Sequence, residues 1–512
     1  MTIYGLDIGN AYAYVSVLEV DPRNPATQHA DPIPMLPDAY STIGVPSDAY
    51  ISADGTITIA QGLSRGPQAA PLRKGLCGVI RAVKTMLLKD EVVCRLPRKQ
   101  QVTVKTGDVY AAIIQEAVTV ANAHRVSIGR EPVYDVLLAV PSEFANPQSS
   151  DQYIRKVRTC VESILIDGQR LTLRGTIPEP AAAAMDYLHY QKFTAGTSGV
   201  PVGDELTAVV YDIGHGSFDT ALTRVNAAAN TYELLQHDGA DVGGKDMDST
   251  LRDLFLSQIR AACGGDEQII SSVAGSDRLN VMANEAKNEL SDMALFERDF
   301  TLPSGDTVTL RVNRDAFEGM ISGLIERTLE ITDTLLSDAR SKGVKIDCLV
   351  LCGGCSRIPC VIGAVQALAA DYGLPCIPFR PSQAVSFGAA RYAFSPAMLE
   401  KYTGYDYSIL IENDENFLHG RLQTVLPYNT KLPFTSKTIT LDYQHQGVYW
   451  LCRSLDKADE ALGERLTNYV TVRKLRVGVY PGEQFKAVFS MDEEYVLHVV
   501  CRNMEGEVLL QV

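Results

Sequence analysis

Long apolar runs, a basic surplus and dense cysteine are all missing from this 512-residue chain. No stretch of about 18 or more apolar residues occurs, so no segment is a candidate membrane-spanning helix. The start, MTIYGLDIG, reads as a strand rather than a basic-then-apolar leader, and the expectation is a cytoplasmic protein. With 47 Lys and Arg against 62 Asp and Glu, the formal net charge is -15. Non-specific nucleic-acid binding needs a basic face, and so does attraction to an anionic membrane, so neither partner is expected. Eleven cysteines are too sparse for a disulfide scaffold. Cys348, Cys352, Cys355, Cys360 and Cys376 gather in one region, and LCGGC contains a C-x-x-C. A zinc or redox site ranks below a buried strand followed by a ligand turn, because no second C-x-x-C completes a metal set.

The composition is that of an ordinary globular protein, and the length implies two to four domains or subdomains. From residue 1 to about 395, strand and helix patterns alternate, the signature of an α/β fold. Asn146 and Pro147 open one helix, Pro180 sits in the first turn of EPAAAAMDYLHY, and Asn313 caps a long amphipathic helix that Gly343 closes. From about 407 the pattern becomes KTITLDY, GVYWLCRS, KLRVGVY, FKAVFSM, YVLHVVC and EVLLQV, an all-β module. Between them, residues 396–406 lose periodicity and read as a linker.

The chemistry concentrates in VVYDIGHGSFDTA, residues 209–221. Strand-forming segments flank a glycine-containing break, which is a hairpin signal. Gly214 and Gly216 let bare backbone N–H groups approach an anion, and phosphate is the obvious one. Asp212 and Asp219 would repel phosphate unless a cation sits between, and hard oxygen ligands suit magnesium. One D-x-G-x-G-x-x-D leaves this reading level with an ordinary polar hairpin. The N-terminus, however, repeats it: in YGLDIGNAYAYVSV, Asp7, Ile8 and Gly9 align with Asp212, Ile213 and Gly214. Two related halves would each offer a hairpin to one cleft, a geometry that fits a nucleotide between two lobes.

The full series of motifs resembles the seventy-kilodalton heat-shock chaperone family. In order it runs GLDIGNAYAYVSV, VIRAVKTML, VLLAVPSEFANPQ, IPEPAAAAMDY, VVYDIGHGSFDTA, VGGKDMDSTL, NEAKNELS, LVLCGGCSRIPCV and PSQAVSFGAARYA. The resemblance implies an actin-like nucleotidase of two lobes over residues 1–395, the second lobe covering roughly 207–380, followed by a β-sandwich peptide-binding domain over 407–512. It implies ATP or ADP with magnesium, and potassium as a further cation; extended client peptides; and cochaperones, a J-domain protein and an exchange factor. Asp7, Asp212 and Asp219 would serve the metal, with Asp212 also in the catalytic set. Lys84 would place positive charge near the γ-phosphate and attacking water, Glu179 would orient a water, and Ser217 would donate to a γ-phosphate oxygen. The phosphates would rest on Gly9, Asn10, Ala11, Gly214, His215 and Gly216, with Gly243 and Gly244 beside them. Gly353 and Gly354 would leave room for adenine and ribose, Arg357 would stack on the base, and Lys287 and Ser291 would present one polar helix face. Each side chain also has a plainer reading, as a solvated lysine, an exposed carboxylate or a turn residue.

The departures are specific. Asn10 and Ala11 replace two threonines, His215 a middle glycine, Asn284 a glutamate beside the ribose, and Ser382 an aspartate. Ser149 replaces an arginine tied to interlobe and cochaperone communication, and the linker lacks the leucine-rich acidic run, so weakened coupling is expected. Val512 falls where the β-sandwich would pass into a helical lid, and the expectation is a lidless form. Against an ATP-hydrolysing chaperone stands a nucleotide-binding scaffold with little turnover. An actin-like filament protein and a small-molecule kinase both leave the β-rich residues 407–512 unexplained.

Overall fold

The computed structural model describes residues 2–20, 30–37, 44–59, 77–96, 100–141, 147–195, 203–274, 277–394, 406–413, 420–427, 430, 432–443, 445–454, 469–492 and 497–512. Asn146 and all but the last residue of the expected linker lie outside them. By its contacts the chain divides into two compact units, one of Met1–Phe144 and Gln152–Phe394, the other of Ser395–Val512 with Ala145–Asp151.

The larger unit holds two sheets built on one plan. In the first, β1 (Tyr4–Ile8) and β2 (Tyr12–Val17) form an antiparallel hairpin, and β3 (Asp135–Val140) and β4 (Thr172–Pro178) continue parallel to β1 in the order β4-β3-β1-β2. The short strand Ile33–Pro34 closes the far edge. In the second, β5 (Glu205–Ile213), β6 (Phe218–Asn226) and β7 (Thr231–Ala240) are antiparallel neighbours, and β8 (Cys348–Cys352) and β9 (Cys376–Pro378) run parallel to β5. Its order, β7-β6-β5-β8-β9, repeats the first sheet strand for strand. The repeat read from two aspartate–glycine hairpins is therefore a repeat of the whole sheet.

Parallel neighbours require crossovers, which helices supply. Pro147–Ser163 joins β3 to β4. In the second half the helices are α2 (Gly244–Ala262), α3 (Asp277–Asp292), α4 (Arg314–Ser341) and α5 (Pro359–Asp371), the last joining β8 to β9. The Asn313 side chain accepts from the Ala316 N–H at 2.7 Å, and Gly343 takes a φ of 70° just past the end of α4. Two helices exchange halves. α1 (Glu179–Tyr190) follows β4 yet packs on β5 and β6, whereas α6 (Ala384–Tyr392) follows β9 yet packs on β1 and β2.

These two helices cross closely because their contact faces are small. A Cβ on Gly388 would overlap the Ala182 carbonyl oxygen, and one on Gly5 would overlap the α6 backbone. Beside the crossing, fully buried Asp186 accepts from Arg391 Nε at 2.8 Å and Arg380 Nη1 at 3.1 Å, and both arginines also reach Asp31 at 2.7 Å.

The smaller unit is two sheets over one core. One runs Gly420–Leu426, Tyr407–Asn413, Val448–Ser454, Tyr469–Arg476; the other joins Phe434–Thr435, Gln484–Met491, Leu497–Asn503 and Val508–Gln511, with Ile439–Asp442 also on Gln484–Met491. Tyr449, Leu451, Phe485, Phe489 and Val499 fill the space between. The strand expected at KLRVGVY instead ends at Arg476 and starts at Tyr469. Leu475, Val477 and Val479 stay buried in alternation, but the backbone leaves the ladder and the Val477 N–H turns to the Gly447 carbonyl. Among the described residues, no helix is long and apolar enough to cross a membrane.

Gly388→Ala should lower stability in urea by about 1–3 kcal/mol or more, because the methyl meets backbone that cannot rotate away. Gly323→Ala, at an exposed α4 position with open space around it, should raise stability by about 0.5–1 kcal/mol. Similar effects from both would mean that the crossing is looser than its geometry implies.

Candidate functional site

In open α/β sheets ligands gather at the carboxyl ends of the strands, where the strand order reverses. Here both sheets bring those ends to one cavity of about 440 Å³. Asp7 and Asp212 come from the ends of β1 and β5, Gly353 and Gly354 follow β8, Glu179 follows β4, and Ser382 lies between β9 and α6. Glu179 and Ala384 are the first residues of α1 and α6, and Ile358 precedes α5, so the positive ends of three helix dipoles lie at the wall.

The two hairpins are equivalent in detail. Ile8 pairs with Ala13 and Ile213 with Phe218, and the first loop N–H bonds back to the last loop carbonyl in each: Gly9 to Tyr12 at 2.9 Å, Gly214 to Ser217 at 3.0 Å. Among the described residues, the N–H groups of Asn10, Ala11, His215 and Gly216 donate to no backbone carbonyl. The hairpins meet where the Asn10 carboxamide lies on Gly216, whose Cβ would collide with it. Asn10 Oδ1 is buried there without a partner among the described residues. Gly353 is needed for a different reason: its φ is 85°, and any Cβ would strike the Asp212 carboxylate.

Carboxylates dominate the floor. Burial first, then Glu179, pushes the Asp7 carboxyl up to about 7. Asp212 is driven well above the usual carboxylate range by burial and by Glu179, Asp219 and Asp7. Among the described residues, the buried cation beside them is Lys84, ion-paired to Glu179. Burial works against its charge, but Glu179 and Asp7 outweigh that and hold its pKa above the ordinary lysine value. The backbone just ahead is strained, since Ala82 has a φ of 54° before the turn Val83–Met86. Ser217 Oγ donates to Asp219 Oδ2 at 3.1 Å.

On the opposite wall, Lys287 of α3 is 2.8 Å from Asp248 Oδ1 and donates to the Gly244 carbonyl at 3.3 Å. Asn284 Nδ2 donates to the other Asp248 oxygen at 3.1 Å. Cys355 Sγ lies 3.3 Å from the Gly214 carbonyl. All of the expected site residues line the cavity except Gly243 and Gly244. Those two sit behind the second hairpin: the Gly244 N–H donates to the Gly214 carbonyl at 3.0 Å, and a Gly243 Cβ would fall 2.6 Å from the His215 carbonyl. They position the loop; they are not wall residues.

The sequence left unread two aromatic wall residues, Tyr12 and Tyr14, and Asp248, which supports the wall residues Lys287 and Asn284. Tyr12 and Tyr14 stand on one face of β2, and the alternation of YAYVSV, with Ala13 and Val15 buried, was signal enough. Asp248 had no local signal, because its partners are 33 or more residues distant in the chain. Ser149 lies in a helix, but its side chain is outside the described residues. All eleven cysteines are free thiols.

The set suits a polyphosphate with a hard divalent cation. Unpaired N–H groups and helix N-termini fit an anion, and mutually repelling carboxylates fit a cation. Among the described residues no three His, Cys, Asp or Glu side chains form a ready metal cage. Magnesium tolerates this, since it is held through water and substrate phosphates with only one or two carboxylates.

The Hsp70 protein family model matches residues 83–398. Chaperone protein DnaK of Anaplasma marginale (strain St. Maries) is 34% identical over 224 residues, 42% of this chain and 32% of that protein. The heat shock cognate HSP70 protein of Trypanosoma brucei brucei is 27% identical over 351 residues, 65% and 49% of the two chains. Chaperone protein DnaK of Thermotoga petrophila is 25% identical over 527 aligned positions, 98% of this chain and 78% of that protein. The chain thus spans half or less of the first two relatives. The matched segment is more than half of the 512 residues and contains Lys84, Glu179, the second hairpin and the Gly353–Gly354 turn, and the chain belongs to the Hsp70 family.

Proposed function

We propose that this chain is an ATP-binding and ATP-hydrolysing chaperone that uses residues 1–395 for the nucleotide and residues 407–512 to hold extended segments of client proteins. One observation carries the nucleotide part: two equivalent glycine hairpins, with their carboxylates and Lys84, share one cavity. Asp7, Asp212 and Asp219 would hold magnesium through water, and the ion would neutralise charge on both the carboxylates and the phosphates. Asn10, Ala11, His215, Gly216 and Ser217 bind the phosphates through backbone and hydroxyl groups. Lys84, kept charged by Glu179 and Asp7, stabilises charge that grows on the transferring group, and Glu179 orients the attacking water. Gly353, Gly354, Arg357, Lys287 and Ser291 form the adenosine side. Relatives bearing the DnaK and Hsp70 names support the chaperone role, and the two-sheet C-terminal unit supports strand-like peptide capture. J-domain and exchange-factor cochaperones are partners by the same family argument.

A scaffold with little turnover is the second reading. It is favoured by the Asn10 carboxamide lying on Gly216 between the hairpins, where the family resemblance expects a threonine hydroxyl.

Calorimetric titration with ADP and ATP should show binding that depends on magnesium; equal affinity in chelator would remove the metal from the site. Asp7→Asn should weaken magnesium-dependent binding about tenfold or more, since one carboxylate is lost. The same change should stabilise the chain measured without nucleotide or metal at high pH. Because folding raises the Asp7 pKa to about 7 from a usual value of about 4, the folded state is penalised as pH rises through that window. The gain in thermal midpoint should therefore be full above about pH 7 and vanish below about pH 4.

In single-turnover assays Lys84→Ala should slow hydrolysis by about 100-fold or more with ADP affinity changed far less, and Ser217→Ala should cost less. A normal rate in the lysine variant removes Lys84 from the chemistry, and no hydrolysis by the unaltered chain selects the scaffold.

Fluorescence anisotropy of a labelled apolar peptide should report binding to the full chain, with affinities in ADP and ATP within about tenfold, because the linker sequence lacks the acidic leucine run. Failure to bind any peptide also selects the scaffold.

A further inference from the structure

The tip of the second hairpin carries an imidazole where the family resemblance calls for no side chain. The His215 backbone does ordinary work, its carbonyl accepting from the Lys245 N–H at 2.8 Å. Its ring lines the cavity, with Nδ1 3.8 Å from Asp248 Oδ2. The ring lies over Gly244, where a Cβ would sit 3.2 Å from Nδ1. Nδ1 is the ring nitrogen with a charged neighbour, and Nε2 makes no hydrogen bond among the described residues.

Four charged groups act on this ring. Lys287 comes from α3, Lys245 and Asp248 from α2, and Arg81 from the segment ahead of Lys84. Lys245 and Arg81 have partners of their own in Asp241 and Asp48. Asp248, the sole carboxylate of the four, is already shared with Lys287 at 2.8 Å and Asn284 at 3.1 Å. Burial first, and Lys287 next, keep the imidazole neutral and push its pKa down to about 4. The corner therefore lacks negative charge, and it opens on the same cavity as the hairpin N–H groups.

We propose that His215 is a phosphate-binding side chain whose ring takes up a proton from solvent as a nucleotide's polyphosphate enters the cavity. The inference rests on the nucleotide reading above. A phosphate oxygen beside the ring supplies the counter-charge that the shared Asp248 carboxylate does not. The imidazolium donates from Nε2 to phosphate while Nδ1 stays toward Asp248, and only an N–H bond is made. A charge-assisted hydrogen bond of this kind is stronger than the neutral backbone contacts around it. Binding raises the histidine pKa, so by linkage affinity increases as pH falls from about 8 toward about 6.

Calorimetry of ADP with magnesium on the full chain separates the possibilities, using His215→Gln and His215→Gly beside the unaltered protein. At each pH two buffers of different ionisation enthalpy give the number of protons taken up. The nucleotide's own phosphate proton contributes equally to all three proteins, so the difference belongs to His215. The unaltered chain should take up more protons than either variant near pH 6.5, and its affinity should gain about fivefold more than theirs between about pH 8 and about pH 6. Glycine restores the family's residue at the tip, so that variant carries the comparison even where glutamine disturbs folding. Equal proton uptake in all three while they bind ADP overturns this inference and leaves the nucleotide reading intact. Absence of ADP binding by the unaltered chain at every pH overturns both.

Discussion

The larger unit depends on the exchange of two helices between its sheets. α1 belongs by sequence to the first half and packs on the second, α6 does the reverse, and they cross where Gly388 meets Ala182. The crossing is pinned by Asp186, which has no exposed surface, and by Arg391 and Arg380. Burial raises the Asp186 pKa and the two arginines oppose that rise, so the carboxylate is tolerable only while both guanidinium groups stay in place. Sliding one helix along the other would break those bonds and drive a Cβ into backbone. The consequence reaches the cavity directly, because Glu179 begins α1 and Ala384 begins α6. The crossing and the wall of the site are built from the same two helices, within four residues of each other along each.

Electrostatics sets the second constraint. A fold optimised for stability would not bury Asp7, Asp212 and Glu179 together with one lysine. Burial first, and then mutual repulsion, displace Asp7 and Asp212 upward, while Glu179 and Asp7 hold Lys84 charged. The second wall works with the opposite sign. There Lys287, with Asp248 as its anchor, sits among groups that disfavour a further positive charge on His215. A cation-seeking floor and an anion-seeking wall in one cavity form the complement of a metal–polyphosphate pair.

The departures from the family pattern fall into two kinds. His215 and Asn10 change side chains at the hairpin tips, and both hairpins keep their closing N–H to carbonyl bond. Asn284 changes a wall residue, and its amide is drawn onto Asp248 rather than left facing the cavity. The loops therefore retain their geometry, while the side-chain chemistry at their rims is this chain's own.

The sequence alone determined most of what depends on neighbours in the chain. Both hairpins, the Asn313 cap, the helix opening at Glu179–Pro180 and the buried strand Cys348–Cys352 are local patterns of period, turn residue and cap. Because the hairpins themselves carry the chemistry, most of the site was legible with them. Tyr12 and Tyr14 were legible too, by the alternation of β2. Only the tertiary structure decided the rest. Asp186 and Arg391 are 205 residues apart, Asn284 and Asp248 are 36 apart, and no periodicity links them. It placed Gly243 and Gly244 behind the hairpin instead of on the wall, and it gave Asp7 a pKa near 7 that no composition predicts. Desolvation and long-range contact come into being when the two halves close on each other, and a linear pattern carries neither.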